Sequence, residues 1–114
     1  MSRAASGPNT PARAMIDEMV RLIVTRFHPQ KIILFGSHAR GEADVDSDVD
    51  LLIVAQVGGS KRELRLDIRA AVGEIPLPKD IVVVTPDEFE AYRDKVGTIV
   101  RPAVREGVVL YEAA

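Results

Sequence analysis

The sequence contains no cysteine, which excludes disulfides and thiolate chemistry. It has no surplus of basic residues: 15 Lys and Arg stand against 17 Asp and Glu, for a formal net charge of -2. A surface built to hold long polyanions needs a dominant positive field, so no long DNA or RNA is expected as a partner. No apolar run is long enough to span a bilayer. The opening MSRAASGPNTPARA carries two arginines but lacks the apolar core of a secretory signal. No membrane association is expected, and the cytoplasm is the expected compartment.

What is present fits one domain. Hydrophobic residues make up 46% and charged residues 28% of 114 residues, the balance of a chain with a packed core. Residues 1–11, rich in Ser, Gly, Pro and Ala and without periodicity, read as a flexible tail, which leaves 12–114 as the folded unit. From Pro11 the apolar residues Met15, Ile16, Met19, Val20, Ile23 and Phe27 recur at helical spacing, with Asp17, Glu18, Arg21 and Arg26 mostly on the other side. Pro29 ends that helix.

Three apolar runs rich in β-branched residues, Ile32 to Phe35, Leu51 to Val54 and Ile81 to Val84, have the length of buried strands. Between the second and third, Ser60 and Glu63 have the spacing of a capping box, and Leu64, Ile68, Ala71 and Val72 form a helical face that stops at Gly73. Thr85-Pro86-Asp87-Glu88 repeats the pattern, with Pro86 at the first helical position. Gly97-Thr98 interrupts this region, and Pro102 falls early in a further segment that stops near Gly107. Val108 to Tyr111 reads as a last strand at a sheet edge. The order helix, strand, strand, helix, strand, helix, strand makes an α/β domain around a small sheet.

The chemistry is concentrated between Phe35 and Val54. A strand that halts at Gly36-Ser37 and turns into a short helical segment offers backbone N–H groups and a hydroxyl to phosphate oxygens. Asp48 and Asp50 stand two apart at the mouth of the next strand, where an extended chain sends both side chains to one face, close enough to share a divalent cation. Carboxylates running into a buried strand meet desolvation and mutual repulsion unless a cation is present. Hard oxygen ligands with room for water and phosphate suit Mg²⁺. Asp80, just before the third apolar run, brings another carboxylate to the same sheet end if that strand neighbours the second. Two metals about 4 Å apart could then clamp an in-line displacement at phosphorus.

Glu42 and Asp44 read as a solvated loop. Asp46 shares the face of Asp48 if the chain is extended there and points to solvent if it turns. Arg40 suits either a structural salt bridge or a phosphate contact. His28 and His38 have no partner at metal-ligand spacing and read as surface residues. Gly36 and Gly41 have the glycine spacing of a Walker A loop, but Glu42 and Ala43 stand where Lys and Ser/Thr should follow. An EF-hand begun at Asp44 would have Val49 in place of its glycine and Ala55 in place of its glutamate. Both motifs are rejected.

GSHARG, then DSDVDLLIV, then an Asp before IVVV resembles the minimal nucleotidyltransferases of the polymerase-β-like superfamily, over most of the chain from about Ile16. The closing GVVLY is also similar. The resemblance implies an α/β (α+β) fold, a small mixed sheet flanked by helices, with the helices on one side. It implies that Gly36 and Ser37 grip the nucleotide phosphates, and that Asp48 and Asp50 hold two Mg²⁺ ions. Asp80 would bind one metal and help deprotonate the acceptor hydroxyl; Asp67 and Glu74 take its place if the strand boundary lies elsewhere.

The implied activity is transfer of a nucleoside monophosphate, AMP from ATP, to a hydroxyl of a protein. The implied partner is a helical HEPN-type toxin on a separate chain, with this chain as the antitoxin. Two other readings stay open: an antitoxin that acts by binding alone, and transfer to a small molecule such as an aminoglycoside. The exposed edge of the last strand leaves a surface for a homo- or hetero-oligomer.

Overall fold

Ile16, Met19 and Ile23 are sealed from solvent while Asp17, Glu18 and Arg21 are exposed, and this two-sidedness sets the first helix, α1 (Pro11–Phe27). The computed structural model describes residues 11–44 and 46–114; apart from Pro11, the tail expected over 1–11 lies outside them. His28, at a φ of 50°, donates its backbone N–H to the Val24 carbonyl (3.1 Å) and ends α1. Buried Pro29 follows.

The remaining elements are β1 (Lys31–Phe35), α2 (Ser37–Arg40), β2 (Val49–Val54), α3 (Lys61–Ala71), β3 (Lys79–Val84), α4 (Pro86–Tyr92), α5 (Val100–Glu106) and β4 (Val108–Glu112). Ser60 caps α3 by accepting the Glu63 N–H (3.2 Å). Thr85 and Glu88 form a reciprocal capping box on α4: the Thr85 hydroxyl accepts the Glu88 N–H (3.1 Å), and the Glu88 carboxylate accepts the Thr85 N–H (2.9 Å).

The four strands lie in the order β3-β2-β1-β4. β1 pairs antiparallel with β2 and with β4, whereas β2 and β3 run parallel, so the sheet is mixed as expected. β4 is an edge strand, also as expected, and β3 is the other edge. The parallel pair needs a crossover, which α3 supplies.

The expectation of helices on one side is corrected: they cover both faces. Ile32, Leu34, Leu51, Ile53, Ile81 and Val83 pack with Ile16, Met19 and Ile23 of α1 and Ile68 of α3. The alternate residues Ile33, Phe35, Leu52, Val54 and Val84 pack with Phe89 of α4 and with Val100 and Ala103 of α5. The cause is legible in the strands themselves, which are continuous apolar runs rather than alternating ones, the pattern of strands buried on both faces. No helix among the described residues is long and apolar enough to cross a membrane.

Gly107 seats α5 against the sheet. A Cβ on it would press on the Ala103 carbonyl, on Cγ2 of Ile33 (2.5 Å) and on the Leu34 carbonyl (2.8 Å). Gly107→Ala should therefore destabilise the fold by about 1–3 kcal/mol, the cost typical of overpacking, measured as a lowered midpoint in urea with an unchanged slope.

Candidate active site

The sheet topology brings three chain segments to one end. β1 ends where β2 begins, because the two are antiparallel, and β3 begins beside β2, because those two are parallel. In register, Phe35 faces Asp50 and Asp50 faces Asp80. Asp50 alternates with buried Leu51 and so shares a face with Leu52 and Val54; Asp80 likewise shares it with Val82 and Val84. The two carboxylates thus stand on adjacent strands, about 4.8 Å apart at the backbone, on the face that α4 and α5 partly cover.

Asp50 is half-buried, while Asp48 and Asp80 are exposed. Burial pushes the Asp50 carboxyl above its usual range, the charges of Asp80 and Asp48 push it further, and His38 and Arg40 oppose the shift. Asp48 and Asp80 therefore both bear electrostatically on Asp50. Asp80, not Asp67 or Glu74, is the strand neighbour of Asp50. As they stand, no three His, Cys, Asp or Glu side chains among the described residues are gathered tightly enough to ligate one ion. Asp50 and Asp80 are aligned in register, with Asp48 just before β2, without the three being drawn together.

Gly36 makes the approach to Asp50 possible. Its φ of 75° and ψ of -156° belong to a region that essentially only glycine occupies, and a Cβ there would run into Oδ2 of Asp50. The Gly36 carbonyl accepts the N–H groups of Ala39 (3.1 Å) and Arg40 (3.2 Å), turning the chain into α2. Ser37, the first residue of α2, is half-buried beside it.

Asp46 lies in a turn and is exposed. Asp44 Oδ1 accepts from the Asp46 N–H (2.9 Å) and the Ser47 hydroxyl (3.2 Å), which settles the open choice for Asp46 in favour of solvent. Arg40 donates through Nε to Glu42 (2.8 Å) and lies 3.6 Å from Glu106 at the end of α5, so it makes structural ion pairs while facing the charge of Asp50.

His38 is more than the surface residue its spacing suggested. Half-buried, it donates through Nε2 to the Ser47 carbonyl (3.2 Å), tying the acidic loop to α2. Its charge also bears on Asp50. The signal in the sequence is its place on the turn after Gly36-Ser37, which metal-ligand spacing does not register. Glu106 had no local signal, since only the packing of α5 on β1 brings it to Arg40.

The family described as the nucleotidyltransferase domain matches residues 16–106. A Methanocaldococcus jannaschii protein named as a candidate protein adenylyltransferase is 46% identical over 44 residues. That match takes in 37% of this chain and 44% of the relative, so the chain spans less than half of the relative's length.

Among solved structures, a candidate nucleotidyltransferase from Sulfolobus solfataricus aligns at a TM-score of 0.55 with 23% identity, over 93% of this chain and 91% of that one. A toxin-antitoxin complex with AMP-PNP aligns at 0.55 with 20% identity, over 85% and 73%. A candidate minimal nucleotidyltransferase aligns at 0.50 with 26% identity, over 85% and 90%.

Gly36→Ala should cost about 1–3 kcal/mol through backbone strain and displace the Asp50 carboxylate, seen as a lower Tm together with altered Asp50 side-chain resonances. Asp50→Asn should act in the opposite sense on stability. Asp50 binds its proton more tightly when folded than when unfolded, so the wild type loses stability as pH rises through the raised folded value. In buffer free of divalent cations the variant should melt higher at neutral pH, by less than the roughly 4–8 °C that 1 kcal/mol brings in a small domain. The advantage should disappear at acid pH.

Proposed function

Because the chain belongs to the nucleotidyltransferase domain family, we propose that it transfers a nucleoside monophosphate, AMP from ATP, to a hydroxyl of a partner protein. The observation that carries this reading is the register of Asp50 against Asp80, with Gly36 abutting Asp50 at the same sheet end. The donor set fits Mg²⁺: Asp48, Asp50 and Asp80 offer hard oxygens, and the Asp50 carboxyl is pushed up first by burial and then by the charges of Asp80 and Asp48, a repulsion that a divalent cation would relieve. When bound, two Mg²⁺ ions would neutralise the phosphates and the departing pyrophosphate.

The residues themselves divide the remaining work. Gly36 lets the backbone approach the phosphates without a side chain in the way, Ser37 offers a hydroxyl donor, and Arg40 supplies positive charge beside them. Asp80, exposed at the start of β3, takes the proton of the acceptor hydroxyl. The acceptor oxygen forms a bond to the α-phosphorus as the bond from that phosphorus to the bridging oxygen breaks, and pyrophosphate leaves with the electron pair.

A protein acceptor is favoured by the name of the Methanocaldococcus relative. The role of antitoxin draws on the toxin-antitoxin complex that shares this fold, and the HEPN type of the toxin on the sequence resemblance alone. A second reading, an antitoxin that binds its toxin without turnover, draws on the carboxylates not being gathered around a common point.

Intact mass spectrometry of co-purified partners, with ATP and Mg²⁺, separates the two. The transferase reading expects the partner to gain AMP with the wild type and to stay unchanged with the Asp48→Asn, Asp50→Asn double variant, a loss of at least ~100-fold in rate if both carboxylates serve transition-state charge. A tight partner whose mass never changes would overturn the transferase reading in favour of contact alone.

A further inference from the structure

Among the described residues no strand pairs with the outer edge of β3, and a cleft of about 300 Å³ runs along it, lined by Asp80, Ile81, Val82 and Val83 on one side and by Lys61, Arg62 and Arg65 of α3 on the other. The backbone direction at this edge follows from two hydrogen bonds. The carbonyls of Pro78 and Val84 accept from Val49 (2.8 Å) and Ala55 (3.0 Å), so the even-numbered peptide groups turn inward to β2. By the alternation of a strand, the N–H and C=O groups of Ile81 and Val83 point outward into the cleft.

The charge on the opposite wall is of one sign. At 100° per residue, Lys61, Arg62, Arg65 and Arg69 fall on one side of α3, and Glu63 and Asp67 fall on the other. Lys61 pairs with Glu88 (2.7 Å), whereas Arg62, Arg65 and Arg69 form no ion pair with the described residues. The row continues to Lys79, whose pKa is held down by burial and by the charge of Arg69. A chain with a net charge of -2 has thus collected a row of cations, Arg62, Arg65 and Arg69 without an ion pair among the described residues, along the outer edge of β3.

We propose that this cleft docks an extended acidic segment of the acceptor protein, which adds beside β3 as a further strand and brings its hydroxyl to Asp80. Outward backbone groups supply the pairing of strand addition, Arg62 and Arg65 supply the preference for acidic side chains, and the cleft ends at a residue of the candidate active site. Open backbone donors and acceptors favour a polypeptide over a nucleic acid. The proposal rests on the reading of the chain as a transferase acting on protein.

The test uses the full chain and a short fluorescein-labelled peptide of alternating Glu and Val with one central Tyr. Binding should be saturable, should weaken with added salt, and should shift the amide resonances of Ile81 and Val83 more than those of Asp80 and Val82. The Arg62→Glu, Arg65→Glu variant should lose at least ~10-fold in affinity while keeping its Tm and its binding of Mg²⁺ and ATP. If that variant fails to fold, the salt titration and resonance shifts of the wild type decide.

Absence of binding, equal binding of a Lys and Val counterpart, tighter binding of a single-stranded RNA, or shifts confined to other elements would overturn the proposal. Peptide docking without nucleotide binding would instead sink the transferase reading and leave the cleft as an interaction surface. Nucleotide binding without docking would do the reverse.

Discussion

Everything else in this molecule is arranged around β2, a strand held on both edges and covered on both faces. Val49, Leu51, Leu52 and Ile53 have no exposed surface, and β1 and β3 occupy the two hydrogen-bonding sides. Burying such a strand supplies much of the hydrophobic stabilisation, at about 25 cal/mol per Å² of apolar surface removed from water. It also imposes a cost at the point where the strand begins, because Asp50 sits within it. A carboxylate in that position is partly desolvated and faces a second carboxylate in register across the parallel pair. The fold tolerates this because the core around β2 is large and the charged end is open to solvent through Asp48 and Asp80.

That arrangement puts function and stability in opposition at one residue. Gly36 deepens the opposition: its conformation is one that essentially only glycine adopts, and its missing Cβ lets the Asp50 carboxylate come against the turn. Around these two positions the neighbouring elements act as braces. His38 ties the acidic loop back to α2, and Arg40 links the turn to Glu106 of α5, while Gly107 lets α5 lie close enough for that link to form. The Arg40–Glu106 link is exposed, so its strength comes from geometry more than from charge, since exposed ion pairs contribute little by themselves.

The strands were legible because each is a short, uninterrupted apolar run, and the caps at Ser60 and Thr85 were legible because hydroxyl and carboxylate stand three apart. The neighbour relation of Asp50 and Asp80 was anticipated only conditionally, since no local pattern states which strands pair; the crossover through α3 decides it. The placement of α4 and α5 on the second face was missed, although the strands carried the sign. Continuous apolar runs already require cover on both sides. The true environments of His38 and Glu106 depend on contacts made across the fold, and no spacing rule reaches them. Asp46 was undetermined because its orientation turns on the Asp44 and Ser47 hydrogen bonds, which exist only once the loop has closed.

Charge shows the same limit in another form. A net charge of -2 argues against a surface dominated by positive potential, but a sum over the chain discards position. Along α3 the helical repeat sorts the charges, sending Lys61, Arg62, Arg65 and Arg69 one way and Glu63 and Asp67 the other, and packing of α3 as the crossover then fixes the cationic side against the edge of β3. The same crossover that makes β2 and β3 parallel, and so sets Asp80 beside Asp50, leaves β3 with an open edge beside those cations. One connection thus determines both the carboxylate pair and the chemical character of the ground next to it, which is why the site and the cleft meet at Asp80.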